Sequence, residues 1–240
     1  MFPFQEAVKL AYSRGKMMEA MCGNSDAVDG LKEDDSKYGM YVLLFQPSKM
    51  ERVMELLNEF KIHVSNINNY QQVVVSGLKK QVYERLQQLK LKAREEKLRL
   101  RAIDLKVNVA FHNPVMRPIE SELRTVIENS VIGEDLAVPV LSNLNGQLVE
   151  KDVWTQVENI VQVTSRPVQF LKCLEYFTRP EVLNEKQVHF YNFGGATHGI
   201  IGKFYSDFAK LNGLSEDQLD FKNVVVDDPV ALLNFSDKYS

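Results

Sequence analysis

Cysteine is scarce in this chain of 240 residues, which has only Cys22 and Cys173. Two cysteines cannot build a disulfide framework or a cysteine-rich zinc site, and they fit a reducing compartment. Long apolar runs are missing as well. None nears the roughly 18 residues that a membrane-spanning helix needs. There is no excess of positive charge: 29 Lys and Arg stand against 32 Asp and Glu, a formal net charge of −3. That balance argues against a general nucleic-acid binder, which would be basic. The four histidines, His63, His112, His189 and His198, show no i, i+4 or other ligand spacing, so no metal site is expected. The opening Met1-Phe2-Pro3-Phe4 has neither a signal-peptide pattern nor the Arg/Ser-rich helix of an organelle transit peptide. Internal repeats and low-complexity tracts are also lacking. What is present is apolar: 45% of residues are hydrophobic, enough for one large domain or two small ones.

Periodicity divides the chain into three stretches. Phe4 to Met21 reads as a helix with a broad apolar face of Val8, Leu10, Ala11, Met17, Met18 and Met21. Gly23-Asn24-Ser25-Asp26 ends it, and a polar, acidic loop runs to Lys37. Residues 38–107 read as a βαββαβ unit, the ferredoxin-like order. Its parts are a strand at Met40–Phe45, a helix after Pro47 with Ser48 and Glu51 at capping-box spacing, and strands at Ile62–Asn66 and Gln72–Ser76. A long helix from Lys80 to about Leu100 and an alternating strand through Ile103, Leu105, Val107 and Val109 complete it. Beyond His112 the pattern changes to α/β. Helices are expected at Ile119–Glu128, Val153–Val163, Val168–Tyr176 and Ile200–Leu211, with strands at Ala137–Asn143 and Val188–Phe193. The pairs Asn145-Gly146 and Gly194-Gly195 mark turns.

Five short segments bear on chemistry. Arg14-Gly15-Lys16-Met17-Met18 lies on the first helix. Arg14 is either an ordinary base on a solvated face or a guanidinium aimed into a pocket, able to hold a carboxylate in bidentate fashion. His112, in Phe111-His112-Asn113-Pro114, falls just past the end of a predicted strand, where α/β folds place catalytic groups. Asn113-Pro114 stops that strand. Ser65 to Gly77, with Asn66 and Asn68, reads first as a turn-rich hairpin. Val161 to Phe170 is a helix end followed by a Pro-broken turn. Phe193-Gly194-Gly195-Ala196 is more simply a tight turn than a phosphate loop.

Taken singly these segments are weak signals, but their order and spacing are specific. Together they resemble the malonyl-CoA:acyl-carrier-protein transacylases. That family has an Arg-Gly-x-x-Met helix; an Asn-x-Asn followed by Gln-Val-Val-x-x-Gly, matched by Asn66, Asn68, Gln72 and Gly77; and a His-x-x-x-Met-x-Pro, matched by His112, Met116 and Pro118. It continues with Pro-Val-x-x-Asn, matched by Pro139, Val140 and Asn143, and with a Gln…Pro-Val segment, matched by Gln162, Pro167 and Val168. The match spans roughly residues 4–205. The Gln162 segment is one residue longer than the common bacterial pattern. Ser165-Arg166, Val168-Gln169-Phe170 and Ala110-Phe111-His112-Asn113 look most like fungal mitochondrial members.

The resemblance implies an α/β acyltransferase fold. Residues 1–37 and 108–240 would form an α/β-hydrolase-like large subdomain, incomplete here, into which 38–107 is inserted as a ferredoxin-like small subdomain. It implies an enzyme that moves malonyl from malonyl-CoA to the thiol of acyl carrier protein for mitochondrial fatty-acid synthesis. No cofactor beyond that substrate is implied. His112 would be the general base, Gln162 the residue whose backbone carbonyl orients it, and Arg14 the clamp on the malonyl carboxylate; Met18, Asn66 and Asn68 would complete the substrate site. The basic stretch from Lys79 to Lys106 would dock the acidic carrier, unless it is simply a solvated helix face.

Two departures stand out. The family's Gly-Pro-Gly turn is Gly194-Gly195-Ala196 here, and the nucleophile motif Gly-His-Ser-Leu-Gly is absent. The nearest serine setting, Gly23-Asn24-Ser25-Asp26-Ala27, lacks the second glycine and follows the Arg-Gly helix. The resemblance thus implies a chain without its N-terminal, nucleophile-bearing part and inactive alone. A non-catalytic protein that keeps carrier docking is the alternative. An RNA-binding reading of residues 38–107 fails because Val73-Val74-Val75-Ser76 offers no aromatic on which bases could stack.

Overall fold

A computed structural model describes residues 2–23, 37–130, 132–133, 135–183, 188–193, 196–215 and 221–226. The turn glycines Gly194 and Gly195, and Ser25 with the acidic loop around it, lie outside the described residues. The chain falls into two compact units, Met1–Cys173 and Leu174–Ser240. The βαββαβ segment is thus part of the first unit together with the opening helix.

That opening helix, α1 (Phe4–Met21), spans the residues its pattern predicts. Its buried side is narrower than expected. Leu10 and Met18 are buried, whereas Val8 is 52% exposed, and Phe4 and Tyr12 point outward with it. In the βαββαβ segment β1 (Tyr38–Leu44), α2 (Met50–Glu59), β2 (Val64–Asn69), β3 (Gln72–Leu78), α3 (Lys79–Glu95) and β4 (Arg101–Asp104) follow in turn. The sheet order is β2-β3-β1-β4, with every pair antiparallel.

Strand β1 lies at the centre of this sheet and is buried on both faces, which is why its sequence is an unbroken apolar run rather than an alternating one. On one side Tyr41, Leu43 and Phe45 pack with Val53, Leu56 and Leu57 of α2 and Leu86 and Leu89 of α3. Truncating a fully buried leucine such as Leu43 would cost about 2–5 kcal/mol. On the other side Met40, Val42 and Val74 meet Val107 and Phe111. This second face brings the segment after β4 across the sheet and positions His112.

Two local readings give way here. Strand β4 stops at Asp104 instead of running to Val109, because Lys106 takes a left-handed φ of 56° and its N–H turns back to Asp104 Oδ1. Ser48 does not cap α2; a 3-10 turn, Pro47–Lys49, leads into the helix, and the cap position, Lys49, has no side-chain bond.

A 3-10 turn (Pro114–Ile119) runs into α4 (Glu120–Glu128). The hairpin β5 (Val140–Leu141) and β6 (Leu148–Val149) is shorter than the predicted strand. Its turn needs Gly146: φ is 72°, and a Cβ there would lie 2.8 Å from the backbone carbon of Lys172. Helix α5 (Val153–Gln162) is capped by Asp152, whose carboxylate accepts from the N–H groups of Trp154 and Thr155. Leu123 and Ile127 of α4, Val157 and Val161 of α5, and Leu10 of α1 form one cluster, with an Arg124–Glu158 ion pair alongside. Helix α6 (Phe170–Tyr176) spans the boundary between the units.

The second unit holds α7 (Pro180–Leu183), β7 (Val188–Asn192), α8 (Ala196–Leu211) and β8 (Phe221–Val225). Its two strands pair in parallel, with α8 as the crossover. Tyr205 of α8 stacks on Phe221 at a centroid distance of 3.8 Å. Among the described residues no helix is long and apolar enough to cross a membrane.

Candidate active site

The site assembles from three stretches of the first unit: the middle of α1, the irregular segment 108–113, and the C-terminal end of α5. His112 stands at the centre. Its backbone is left-handed, with φ 55°, a conformation that costs a non-glycine residue about 1–2 kcal/mol. Its neighbours hold it. Phe111 is anchored on the sheet face beneath. Asn113 on the other side is almost fully buried and bonds in both directions: Nδ2 donates to the carbonyl and the Oγ of Ser76, each at 3.1 Å, and Oδ1 accepts from the N–H of Val115. Ser76 Oγ also lies 2.5 Å from Ser65 Oγ and donates to the Phe111 carbonyl at 3.4 Å. A buried polar cluster of β2 and β3 therefore grips both neighbours of the histidine. Such a cluster is stable because its members satisfy one another.

The imidazole points at the end of α5. His112 Nδ1 lies 2.6 Å from the carbonyl oxygen of Val163. A carbonyl cannot donate, so Nδ1 bears the proton and Nε2 is left bare as a base. Burial, with the charge of Arg14 acting in the same direction, holds this histidine below its ordinary value of 6.5; the bond to Val163 offsets part of that. At neutral pH it is uncharged and ready to accept a proton.

The orienting carbonyl is Val163's, not that of Gln162. At the end of a helix the last carbonyls lack intrahelical partners. Here the carbonyls of Val161 and Gln162 are taken by the N–H groups of Thr164 and Ser165, which turn back on them. Val163 is the carbonyl left to meet an imidazole. Gln162 itself turns aside, its side-chain amide donating to Glu158.

Arg14 reaches the same end of α5 from the other side. Its Nε donates to Thr164 Oγ1 at 3.2 Å. Thr164 is fully buried and passes its own proton to the Ile160 carbonyl. Among the described residues Arg14 meets no carboxylate, and the residue is half-buried. Burial holds the guanidinium below its ordinary value, though an arginine stays charged. The site thus contains a half-buried cation that meets no carboxylate among the described residues and is close enough to His112 to act on it.

The other expected site residues fare unevenly. Met18 is in the core with Cys22, Ala110 and Met116, where it cannot line an open site. Asn66 pairs through its backbone with Val168: the N–H of Val168 donates to the Ser65 carbonyl and that of Ile67 to the Val168 carbonyl. This stitches the segment after α5 to the edge of β2. Asn66 and Asn68 are half-buried, and neither side chain bonds His112 or Arg14. His63, unremarkable in the sequence, lies with Nε2 3.1 Å from the carbonyl oxygen of His112. Thr164, Asn113, Ser65 and Ser76 were also unmarked as individuals. Among the described residues no three His, Cys, Asp or Glu side chains gather as a metal site would require.

No family model matches the chain. It is 29% identical over 168 residues to the malonyl CoA-acyl carrier protein transacylase of Bacillus subtilis, covering 70% of this chain and 48% of that protein. It is 24% identical over 155 residues to a non-reducing polyketide synthase of Aspergillus terreus, covering 65% of this chain and 6% of that protein. Among solved structures it matches a malonyl-transacylase in complex with a type II polyketide synthase acyl-carrier protein, with a TM-score of 0.70 and 20% identity over 99% of this chain and 66% of that one. The malonyl-CoA:acyl carrier protein transacylase of Helicobacter pylori gives a TM-score of 0.69 and 21% identity, with 100% of this chain and 66% of that one covered. The chain thus spans 48% of its curated transacylase relative and 66% of these solved neighbours. In fold, and more distantly in sequence, it is similar to the malonyl-CoA:acyl-carrier-protein transacylases.

Proposed function

We propose that this chain holds the general base and the carboxylate clamp of an acyltransferase that moves malonyl from malonyl-CoA to the thiol of an acyl carrier protein. One observation supports this above the others: a half-buried guanidinium, Arg14, that meets no carboxylate among the described residues, beside a neutral histidine whose Nε2 has no partner among them. A malonyl group ends in the carboxylate that Arg14 lacks. Its thioester would then lie toward His112. The nucleophile's hydroxyl proton would pass to Nε2 as the oxygen attacks the thioester carbon, and would return to the CoA sulfur as the C–S bond breaks.

The sequence contains no Gly-x-Ser-x-Gly. In this proposal the chain alone therefore binds malonyl-CoA but forms no acyl-enzyme, and the nucleophile belongs to polypeptide outside these residues. The alternative is a non-catalytic protein that retains carrier docking. Motifs like those of fungal mitochondrial members support a role in mitochondrial fatty-acid synthesis, which locating a tagged full-length gene product would check. The polyketide synthase relative favours polyketide carriers as a second destination for the malonyl group.

The test is calorimetry with malonyl-CoA and acetyl-CoA, joined to intact-mass analysis of the 240-residue chain after incubation with malonyl-CoA. Binding of malonyl-CoA in preference to acetyl-CoA, with no adduct, is expected. Equal binding of the two would overturn the clamp. A stable malonyl adduct would overturn the assignment of the nucleophile.

A further inference from the structure

His112 keeps a left-handed backbone in a loop, and a residue with a Cβ stays there only when its surroundings over-determine it. Ser76 and Asn113 fix the residues on either side. The carbonyl of His112 itself is held by a different group. His63 Nε2 lies 3.1 Å from that oxygen, from a position 49 residues away in the chain. A carbonyl only accepts, so His63 donates through Nε2–H. His63 immediately precedes β2, and its own carbonyl accepts from the N–H of Ser76 at 3.1 Å. It is thus locked into the sheet that also anchors Asn113, and its side chain reaches out from a rigid base. Turning the His112 carbonyl away would rotate the following peptide, and with it the backbone that aims the imidazole at Val163.

We propose that His63 is a positioning residue for His112: its Nε2–H bond to the His112 carbonyl fixes the left-handed backbone that lets Nδ1 reach Val163 and leaves Nε2 free. The consequence for catalysis rests on reading His112 as the base, but the geometry does not. Two histidines divide the work. One presents a bare nitrogen, and the other serves only through its N–H on the first one's backbone. His63 is half-buried, and burial holds it below its ordinary value. The neutral Nε2–H form suffices for the bond.

The experiment is NMR of the ring nitrogens in the uniformly 15N-labelled chain, in the unsubstituted protein and in His63→Phe and His63→Gln. In the unsubstituted protein His112 should show the Nδ1–H tautomer and His63 the Nε2–H tautomer. In His63→Phe the Nε2–H form of His112 should become the major one, and its titration should move up toward that of a free histidine. His63→Gln offers an amide N–H in place of the imidazole's and should restore the Nδ1–H form. An unchanged His112 tautomer and titration in a folded His63→Phe protein would overturn the proposal. So would a His63 that bears its proton on Nδ1 in the unsubstituted protein, a result that needs no variant to fold. Neither readout depends on ligand binding, so a chain that binds malonyl-CoA and acetyl-CoA equally would count against the proposed function and leave this test intact.

Discussion

Arg14 and His112 are ordinary residue types made unusual by what surrounds them. The guanidinium is half-buried, bonded through one nitrogen to a buried threonine, and free of any carboxylate among the described residues. Leaving such a group unpaired beside a bound ligand costs about 3–5 kcal/mol, by analogy with broken buried ion pairs. A ligand that supplies the missing carboxylate would therefore be preferred by ~10²-fold or more over one that does not. Arg14→Ala should weaken malonyl-CoA binding by about that factor while leaving acetyl-CoA binding nearly unchanged, since only the former has a carboxylate to lose. Competition calorimetry checks this, and an equal loss for both ligands would refute it. The motif spacing pointed to Arg14 and His112, and the structure brings them together at one helix end. Met18 shared the same motif but is part of the core. A methionine's type and spacing are the same whether it faces a ligand or a core, and burial alone tells the two apart. His63 offered no signal at all, because a hydrogen bond to a backbone carbonyl 49 residues away leaves no mark on local sequence.

At the scale of elements, α3 shows how a pattern can be right while its purpose stays open. Val82, Leu86, Leu89 and Ala93 form the buried stripe that periodicity placed there. The outer face presents Lys80 and Arg94, with Lys90 half-buried beside them, around the exposed apolar side chains of Tyr83 and Leu91. Glu84 and Glu95 are exposed on the same face, so under the proposed function an acidic carrier protein would be met by the Lys and Arg side chains of a mixed surface. Reversing Lys80, Lys90 and Arg94 to Glu should weaken carrier binding, with a shallower salt dependence, while malonyl-CoA binding is unchanged. Parallel titrations read both. Equal losses would assign these charges to stability instead. The segment 105–113 teaches the converse. Leu105, Val107 and Val109 alternate as a strand would, yet β4 ends at Asp104, and beyond it Leu105 keeps a bond to the neighbouring strand, its N–H donating to the Met40 carbonyl. The left-handed Lys106 breaks the ladder; Val107 then covers the second face of the sheet, Val109 packs with Met18 and Ala110, and Leu105 is left exposed. Alternation reports which side chains are buried, and it does so equally well for an extended segment lying across a sheet as for one hydrogen-bonded within it.

For the whole molecule, the site predicts how stability follows pH. His112 and His63 are both held below the ordinary histidine value of 6.5, chiefly by burial. Groups with lowered folded values bind protons more weakly in the folded state than in the unfolded one. Their contribution is complete above about pH 6.5 and is lost as pH falls through the folded values. Denaturant midpoints should therefore decline from neutral pH downward, before the carboxylates begin to titrate. The double variant His63→Gln, His112→Gln should flatten that decline between neutral pH and about pH 5. A slope that survives in the double variant would place its origin elsewhere.

Local patterns along the chain suffice for the helices and strands whose apolar periodicity is strong, for the βαββαβ order and for the likeness to malonyl transacylases. They also singled out the arginine and the histidine that meet at the end of α5. These rest on local patterns, where each residue's face is set by a fixed period along the chain. It took the folded chain to show which carbonyl meets His112, that Met18 is core, that β4 is short, and that His63 bonds the histidine's carbonyl. Each of these depends on groups distant in sequence competing for the same hydrogen bond or the same space. At the end of α5 the carbonyls of Val161 and Gln162 are taken by the N–H groups of Thr164 and Ser165, and only the folded geometry records that Val163's is the one that meets His112.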